Sequence, residues 1–394
     1  MHKLLILAVL YCACFAAARF HFYDRTFLGN RIDLSTMKVL KETYENAVNK
    51  NIVSSPLGVM MLLSIYNLGS GPACKVEISK FLGEADSKNA SDSFKELSVK
   101  FSEIDPDNLA VADKISVSNL YNLDETFAES ARGYGCESET LDFSKSAEAA
   151  AEINKWAAEK TKGHITEPIG KDVLSQDVIV ALFNVIYFNG HWHVPFKAEE
   201  TKEKDFHVSR DSVVKKPMMH LLQSLYYTES EELGAKMIEL PYKETGFRMI
   251  VVLPNEVDGL PSVLEKAAEK GLLSDVFRLR PAGRQVDLDM PKFEIRTKIN
   301  FNDILPKVGV SKLFSEGAAG IVKNTSVRVS KVFQEAFIKV DEEGATAGAF
   351  TGVIAVARSS NSRPPPPMKF TVDHPFLYAV LHEDKILFVG TYSA

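Results

Sequence analysis

Two histidines one residue apart, His191 and His193, could turn two imidazoles to one face of an extended strand. With His207 or His220 as a third ligand, the chemistry would be transition-metal binding. None of the four has a cysteine or carboxylate at ligand spacing, so they read as surface residues and no metal is expected. Cys74 and Cys136 lack the local context of a catalytic nucleophile. There is no Gly-x-Ser-x-Gly elbow and no phosphate-binding glycine loop. The chain therefore does not read as an enzyme, and no cofactor is expected.

The residues that stand out are 341–368. Asp341-Glu342-Glu343 is an acidic cluster, followed by fourteen uncharged residues, Gly344 to Ala357. Arg358 closes that run, and Ser359-Ser360-Asn361-Ser362-Arg363 and four prolines, Pro364 to Pro367, come next. The polar and proline-rich end must be an exposed loop. Beside it, Thr346, Thr351, Val353, Ile354 and Val356 are β-branched, and a stretch like this on a surface should pair with any open sheet edge. Ala345, Ala347, Ala349, Thr351, Val353 and Ala355 share one face of an extended chain, and all are small or β-branched. That face could enter a packed interior without overpacking it. Phe350 lies on the other face. Inserting about a dozen residues would form on the order of ten ladder hydrogen bonds at roughly 1 kcal/mol each, comparable with the stability of a whole domain. An ordinary hairpin strand leading into a proline-rich loop has the same local pattern.

The elements that would position this segment can be read from periodicity. Of 394 residues, 45% are hydrophobic and 25% charged, which excludes a disordered, collagenous or disulfide-framework chain. The net charge is −6 and no basic run exceeds Lys215-Lys216, so no nucleic-acid partner is expected. Leu34, Met37, Leu40, Tyr44 and Val48 fall at helical spacing. Ser55-Pro56 opens a second apolar helix that ends at Gly69, and Ala147 to Lys160 forms another. Later the period changes to that of strands: Val286, Leu288 and Met290 alternate with aspartates, Met249 to Leu253 is a doubly covered strand, and Val327 to Val340 is a long one. Leu377 to Leu381 and Ile386 to Gly390 form a hairpin about Glu383-Asp384. Helices first and antiparallel strands later predict an α+β fold in one large domain.

The N-terminus reads as a secretory signal peptide, residues 1–18: Lys3, then the twelve-residue apolar run Leu4 to Phe15, then Ala16-Ala17-Ala18. The run is too short to span a membrane, and no membrane partner is expected. Cleavage leaves a domain over 19–394 and a net charge near −7, and removes Cys12 and Cys14. Cys74 and Cys136 could pair or remain as buried thiols. Asn89 and Asn324 sit in glycan acceptor sequons, as expected of a secreted, extracellular glycoprotein.

The chain resembles a serpin, of the secreted, inhibitory type, over residues 25–394. The resemblance is carried by Asn51 to Pro56 with Leu68-Gly69, by Asn184 to Trp192 with Pro195-Phe196, Thr201 and Phe206, and by Val252-Leu253-Pro254 and Met290 to Phe293. Ala336 to Gly344, Asp373 to Leu377 and Ile386 to Gly390 complete the set in order and spacing. The resemblance implies a single domain of three β-sheets and eight or nine helices, with an exposed reactive-centre loop at about 342–368. It implies a suicide-substrate inhibitor, in which a protease acylated by the loop is trapped when the cut loop inserts into the main sheet. By the family's counting from Gly344, the reactive bond is Arg358-Ser359. Glu342, Glu343, Gly344, Ala345, Thr346, Ala347, Gly348 and Ala349 form the hinge, with small residues where inhibitors need them. Ser55, Asn184 and Gln334 form the cluster at which the sheet opens. Gly58 stands where a second serine is usual and Gln334 where a histidine is usual, which leaves the cluster weaker or makes Gln334 the substitute donor.

Lys75, Lys80, Lys88, Lys95 and Lys100 lie where some serpins bind sulfated polysaccharide, but they alternate with Glu77, Glu84, Asp86, Asp92 and Glu96 and read as a solvated face. The expected partner of this monomer is a trypsin-like, Arg-specific protease. One alternative is a papain-like cysteine protease cutting at Ala357-Arg358, with Val356 as its apolar specificity residue. The other is a non-inhibitory serpin, against which the small residues at 345–349 argue.

Overall fold

The computed structural model describes residues 27–83, 87–344 and 365–394. The signal segment, hinge residues Ala345 to Ala349, Phe350 and both candidate reactive bonds, Arg358-Ser359 and Ala357-Arg358, lie outside them.

Eight α-helices are present among the described residues: α1 (Phe27–Asn46), α2 (Pro56–Asn67), α3 (Pro72–Phe81), α4 (Ser87–Ser102), α5 (Glu125–Arg132), α6 (Ser146–Lys160), α7 (Leu260–Lys270) and α8 (Leu273–Val276). The strands are β1 (Ile52–Ser54), β2 (Leu109–Ser118), β3 (Glu137–Leu141), β4 (Val180–Phe188), β5 (Lys202–Ser209), β6 (Ser212–Gln223), β7 (Tyr226–Ser230) and β8 (Ala235–Pro241). They continue as β9 (Phe247–Pro254), β10 (Arg280–Pro281), β11 (Val286–Pro291), β12 (Phe293–Asn300), β13 (Val329–Val340), β14 (Met368–Thr371), β15 (Phe376–His382) and β16 (Lys385–Tyr392).

They form three sheets in one α+β domain. The five-stranded sheet has the order β12-β13-β4-β2-β3, the four-stranded sheet β14-β11-β6-β5, and the seven-stranded sheet β1-β16-β15-β9-β8-β7-β10. α2 is buried along almost its whole length, and its side chains belong to the core that also takes Leu182, Ile186 and Phe188 of β4 and Tyr378 and Phe388 of β15 and β16. Pro56 starts it, and the Ser55 hydroxyl caps it by accepting from Gly58 N at 3.1 Å. α1 and α7 cover the seven-stranded sheet, with Met37, Leu40, Leu260 and Leu264 packed together with Ile250 and Leu377. Val48 falls beyond the end of α1 and is fully exposed, so it is not part of that stripe. α6 covers the other face of the five-stranded sheet, burying Ile153 and Trp156 together with Phe183, Val185 and Tyr187 of β4.

The antiparallel expectation holds for the seven-stranded sheet but not throughout. β13 runs parallel to β4, β3 to β2, and β14 to β11. The parallel joint of β4 with β13 sits in the middle of the five-stranded sheet, with Asn184 opposite Gln334. A chain that reversed direction after β13 and lay between the two would be antiparallel to both, the pairing that allows the shortest connection.

Candidate functional site: the hinge and the joint below it

β13 ends at Val340, and the chain then folds into a tight turn held by its own side chain. Asp341 Oδ1 accepts from Glu343 N at 3.2 Å and from Gly344 N at 3.0 Å. Segment 192–196, which follows β4, takes three successive hinge carbonyls. Trp192 Nε1 donates to Asp341 O at 2.8 Å, Phe196 N to Glu342 O at 2.8 Å, and Trp192 N to Glu343 O at 3.3 Å. Trp192 is fixed in turn by stacking on Tyr242, with centroids 4.4 Å apart. The Glu342 carboxylate accepts from Thr201 Oγ1 at 2.7 Å and pairs with Lys292 at 3.3 Å. Burial pushes the Glu342 carboxyl up, but these bonds and its own backbone amide outweigh burial and hold it below the ordinary carboxylate range. Gly344 has φ +83°, and a Cβ there would lie 2.5 Å from both Gly190 O and Trp192 N. Glycine is thus required at the point where the described chain leaves the sheet.

Deeper along the same joint, Ser55, Asn184 and Gln334 meet. Gln334 Nε2 donates to Ser55 O and to Asn184 Oδ1, each at 2.7 Å. Its Oε1 accepts from Ser55 N at 2.9 Å and from Ser54 Oγ at 3.0 Å. Glutamine does more here than replace a donor: the amide bonds on both sides, joining β13 to β4 and to the start of α2. Asn184 Nδ2 donates onward to Asp113 Oδ1 on β2 at 2.8 Å. Asp113, Asn184 and Gln334 occupy facing positions on three adjacent strands, so one hydrogen-bond chain crosses the sheet. A Cβ on Gly58 would lie 2.7 Å from Asn184 Oδ1. The missing serine and the altered partner on β13 thus belong together, because Asn184 uses the space that a side chain at Gly58 would need. Burial pushes the Asp113 carboxyl up to about 7, more than the bond from Asn184 can offset.

The model of the family described as "Serpin (serine protease inhibitor)" matches residues 33–394. The chain belongs to the serpin family. Among its relatives is an antitrypsin of Bombyx mori, 34% identical over 368 residues that cover 93% of each chain. An antichymotrypsin-2 of the same organism is 33% identical, covering 93% of this chain and 97% of its own. The crystal structure of Serpin48 of Tenebrio molitor superposes with a TM-score of 0.82 at 32% identity, over 95% of this chain and 99% of that one. The family's description and these relatives' names support protease inhibition, in general terms, as the function of this serpin.

Among the described residues, the cysteines and histidines singled out above do not gather at one place. Cys74 and Cys136 are both free and buried. Burial, with Glu77 and Glu316 nearby, pushes the Cys74 thiol up to about 12, and burial holds the Cys136 thiol well above the ordinary thiol range, so neither is a nucleophile at neutral pH. His191 and His193 do not share a strand face, because both lie past the end of β4, and His191 Nδ1 bonds Glu244 Oε1 at 2.7 Å. His220 sits beside Asp287 and Asp289, but Lys204 Nζ already occupies Asp289 at 2.5 Å. Asn324 is exposed, and Asn89 falls within α4, its side chain outside the described residues. Sequence reasoning missed Asp113 altogether and gave Thr201, Trp192 and Lys292 no role at the hinge. An Asp-Lys pair in the middle of the apolar strand Leu109 to Val117 was the available signal for Asp113.

Proposed function

We propose that this serpin is a secreted suicide-substrate inhibitor of a trypsin-like serine protease. The observation that carries the reading is the parallel joint of β4 with β13 directly below the clamped hinge, a position into which the returning loop would fit as an antiparallel strand. The protease serine attacks the Arg358 carbonyl, and the bond to Ser359 breaks with the new amine leaving, which gives an acyl-enzyme. Insertion of residues from 345 onward then carries the bound protease across the molecule before water can release it. Arg358 selects the target class, since a guanidinium pairs bidentately with a carboxylate at the base of a specificity pocket. Residues 1–18 act as the export signal, Asn89 and Asn324 as glycan sites, and the inhibitor works as a monomer.

The test is incubation with trypsin and, separately, with papain, followed by denaturing gels and sequencing of the released peptide. A detergent-stable trypsin complex with a new N-terminus at Ser359 supports the proposal, and Arg358→Ala should abolish it with the fold intact. A fragment starting at Arg358, with papain alone inhibited, would transfer the loop to the cysteine-protease class, a register that Val356 favours.

A further inference from the structure

The joint between β4 and β13 carries more than the amide pair of Asn184 and Gln334. On the opposite face of the sheet, two aromatic pairs bridge the same two strands. Phe183 stacks on Phe333 with centroids 5.9 Å apart, and Tyr187 on Phe337 at 5.7 Å, both within 17° of parallel. In both cases the rings belong to residues directly opposite in the register. The second pair is capped on both sides. The His164 ring, from the segment after α6, lies on Tyr187 at 3.9 Å and 7°. The Arg296 guanidinium of β12 lies 4.8 Å over Phe337. Arg296 also donates to Glu335 Oε1 at 2.9 Å and to His164 O at 2.7 Å, so the stack His164–Tyr187–Phe337–Arg296 is tied back on itself across the joint.

Adding a strand between β4 and β13 moves them apart by one strand spacing, about 4.8 Å. Both ring pairs would then stand beyond the roughly 7 Å at which aromatic contact ends. The contacts are lost before the inserting strand has formed all its own hydrogen bonds, so they add to the barrier to opening.

We propose that Phe183–Phe333 and Tyr187–Phe337, buckled by His164 and Arg296, form a latch that sets how fast the sheet opens, and so divides protease encounters between trapping and simple cleavage. This rests on the insertion reading above. These are positioning residues, and none of them meets the protease.

The experiment uses the full chain, with Phe333→Leu and Phe337→Leu as latch variants and Phe143→Leu, buried in the same core layer but outside both ring pairs, as the packing control. His164→Ala, at an exposed position, is the variant that leaves the core untouched. The probe is a synthetic peptide with the sequence of residues 345–357, and its rate of incorporation is read on native gels beside each urea midpoint. Breaking one stacked pair should speed uptake roughly two- to twelve-fold, and His164→Ala about two-fold. Phe143→Leu should lower the urea midpoint and leave the uptake rate unchanged. The latch variants should also consume fewer inhibitor molecules per protease trapped. Equal acceleration in Phe143→Leu, or none in any latch variant, overturns the latch while leaving insertion intact. A wild-type chain that takes up no peptide and gains no heat stability on loop cleavage overturns insertion, and the latch with it.

Discussion

Asp113→Asn should make this serpin more stable, and by an amount that depends on pH. Asp113 lies 5% exposed in β2 and accepts a hydrogen bond from Asn184. Asparagine has the same shape and keeps an oxygen for that bond. The substitution therefore removes charge and little else. Burial raises the carboxyl from 3.8 to about 7 in the fold. A raised acid favours folding fully at pH below 3.8, loses that advantage as pH rises toward 7, and carries the whole penalty above it. Three pK units at about 1.4 kcal/mol each come to about 4 kcal/mol at pH 8. At pH 5 the penalty is about 1.5 kcal/mol, so the gap between variant and wild type should widen by roughly 2 to 3 kcal/mol between pH 5 and 8. With an unfolding entropy near 2.1 cal/mol/K per residue, the full penalty corresponds to a rise of about 5 °C at pH 8. Urea unfolding of both proteins from pH 5 to 9 reads the difference directly, and other carboxylates cancel in the comparison. A difference that stays constant with pH, or a variant less stable at pH 8, would refute the account of Asp113 as a buried, poorly compensated carboxylate.

Gln334→Ala should cost about 3 kcal/mol, because it leaves Ser55 N, Ser54 Oγ and Asn184 Oδ1 buried without this partner; a urea midpoint equal to wild type would contradict this. The same variant should lose inhibitory activity faster on storage at 37 °C as the sheet opens unprompted. Gly344→Ala should push the hinge off segment 192–196, since its Cβ would meet Gly190 O and Trp192 N at 2.5 Å. The readout is the fluorescence of Trp192, whose Nε1 bond to Asp341 O would be released; an unchanged spectrum would mean that the hinge absorbs the methyl group. Ala345→Arg should convert the inhibitor into a cleaved substrate by burying an unpaired charge on insertion, and a detergent-stable protease complex from that variant would count against insertion.

Much of the site was legible because the family's residues sit in contiguous stretches of chain. Ser55, Asn184 and Gln334 come together, and Glu342 to Gly344 lie just past the end of the long strand. What the sequence hid is of one physical kind. The partners of the hinge, Trp192, Thr201 and Lys292, are 50 to 151 positions away along the chain, and no local periodicity encodes that distance. The parallel joint was invisible for the same reason: hairpin signals between neighbouring strands are local, while β4 and β13 meet across 150 positions at Asn184 and Gln334. Asp113 shares a face of β2 with Leu109, Val111, Ile115 and Val117, so its burial was legible in the alternation, but the Asn184 amide that bonds it comes from 71 positions away. The substitution at Gly58 could be noticed but not explained until Asn184 was seen in the vacated space.

The pairing of the first strand with the last has a consequence for how the molecule is made. β1 carries Ser54 and is held at the sheet edge by β16, with Ser54 opposite Val389, while Thr391 Oγ1 bonds Lys50 O at 2.6 Å. Ser54 and the adjacent Ser55 are the groups to which Gln334 is tied. On the ribosome, β13 is polymerised before β16, so Gln334 leaves the machinery ahead of the strand that secures β1. The joint between β4 and β13 therefore gains its tie through Ser54 and Ser55 to a secured β1 only once residues 385–392 have been added.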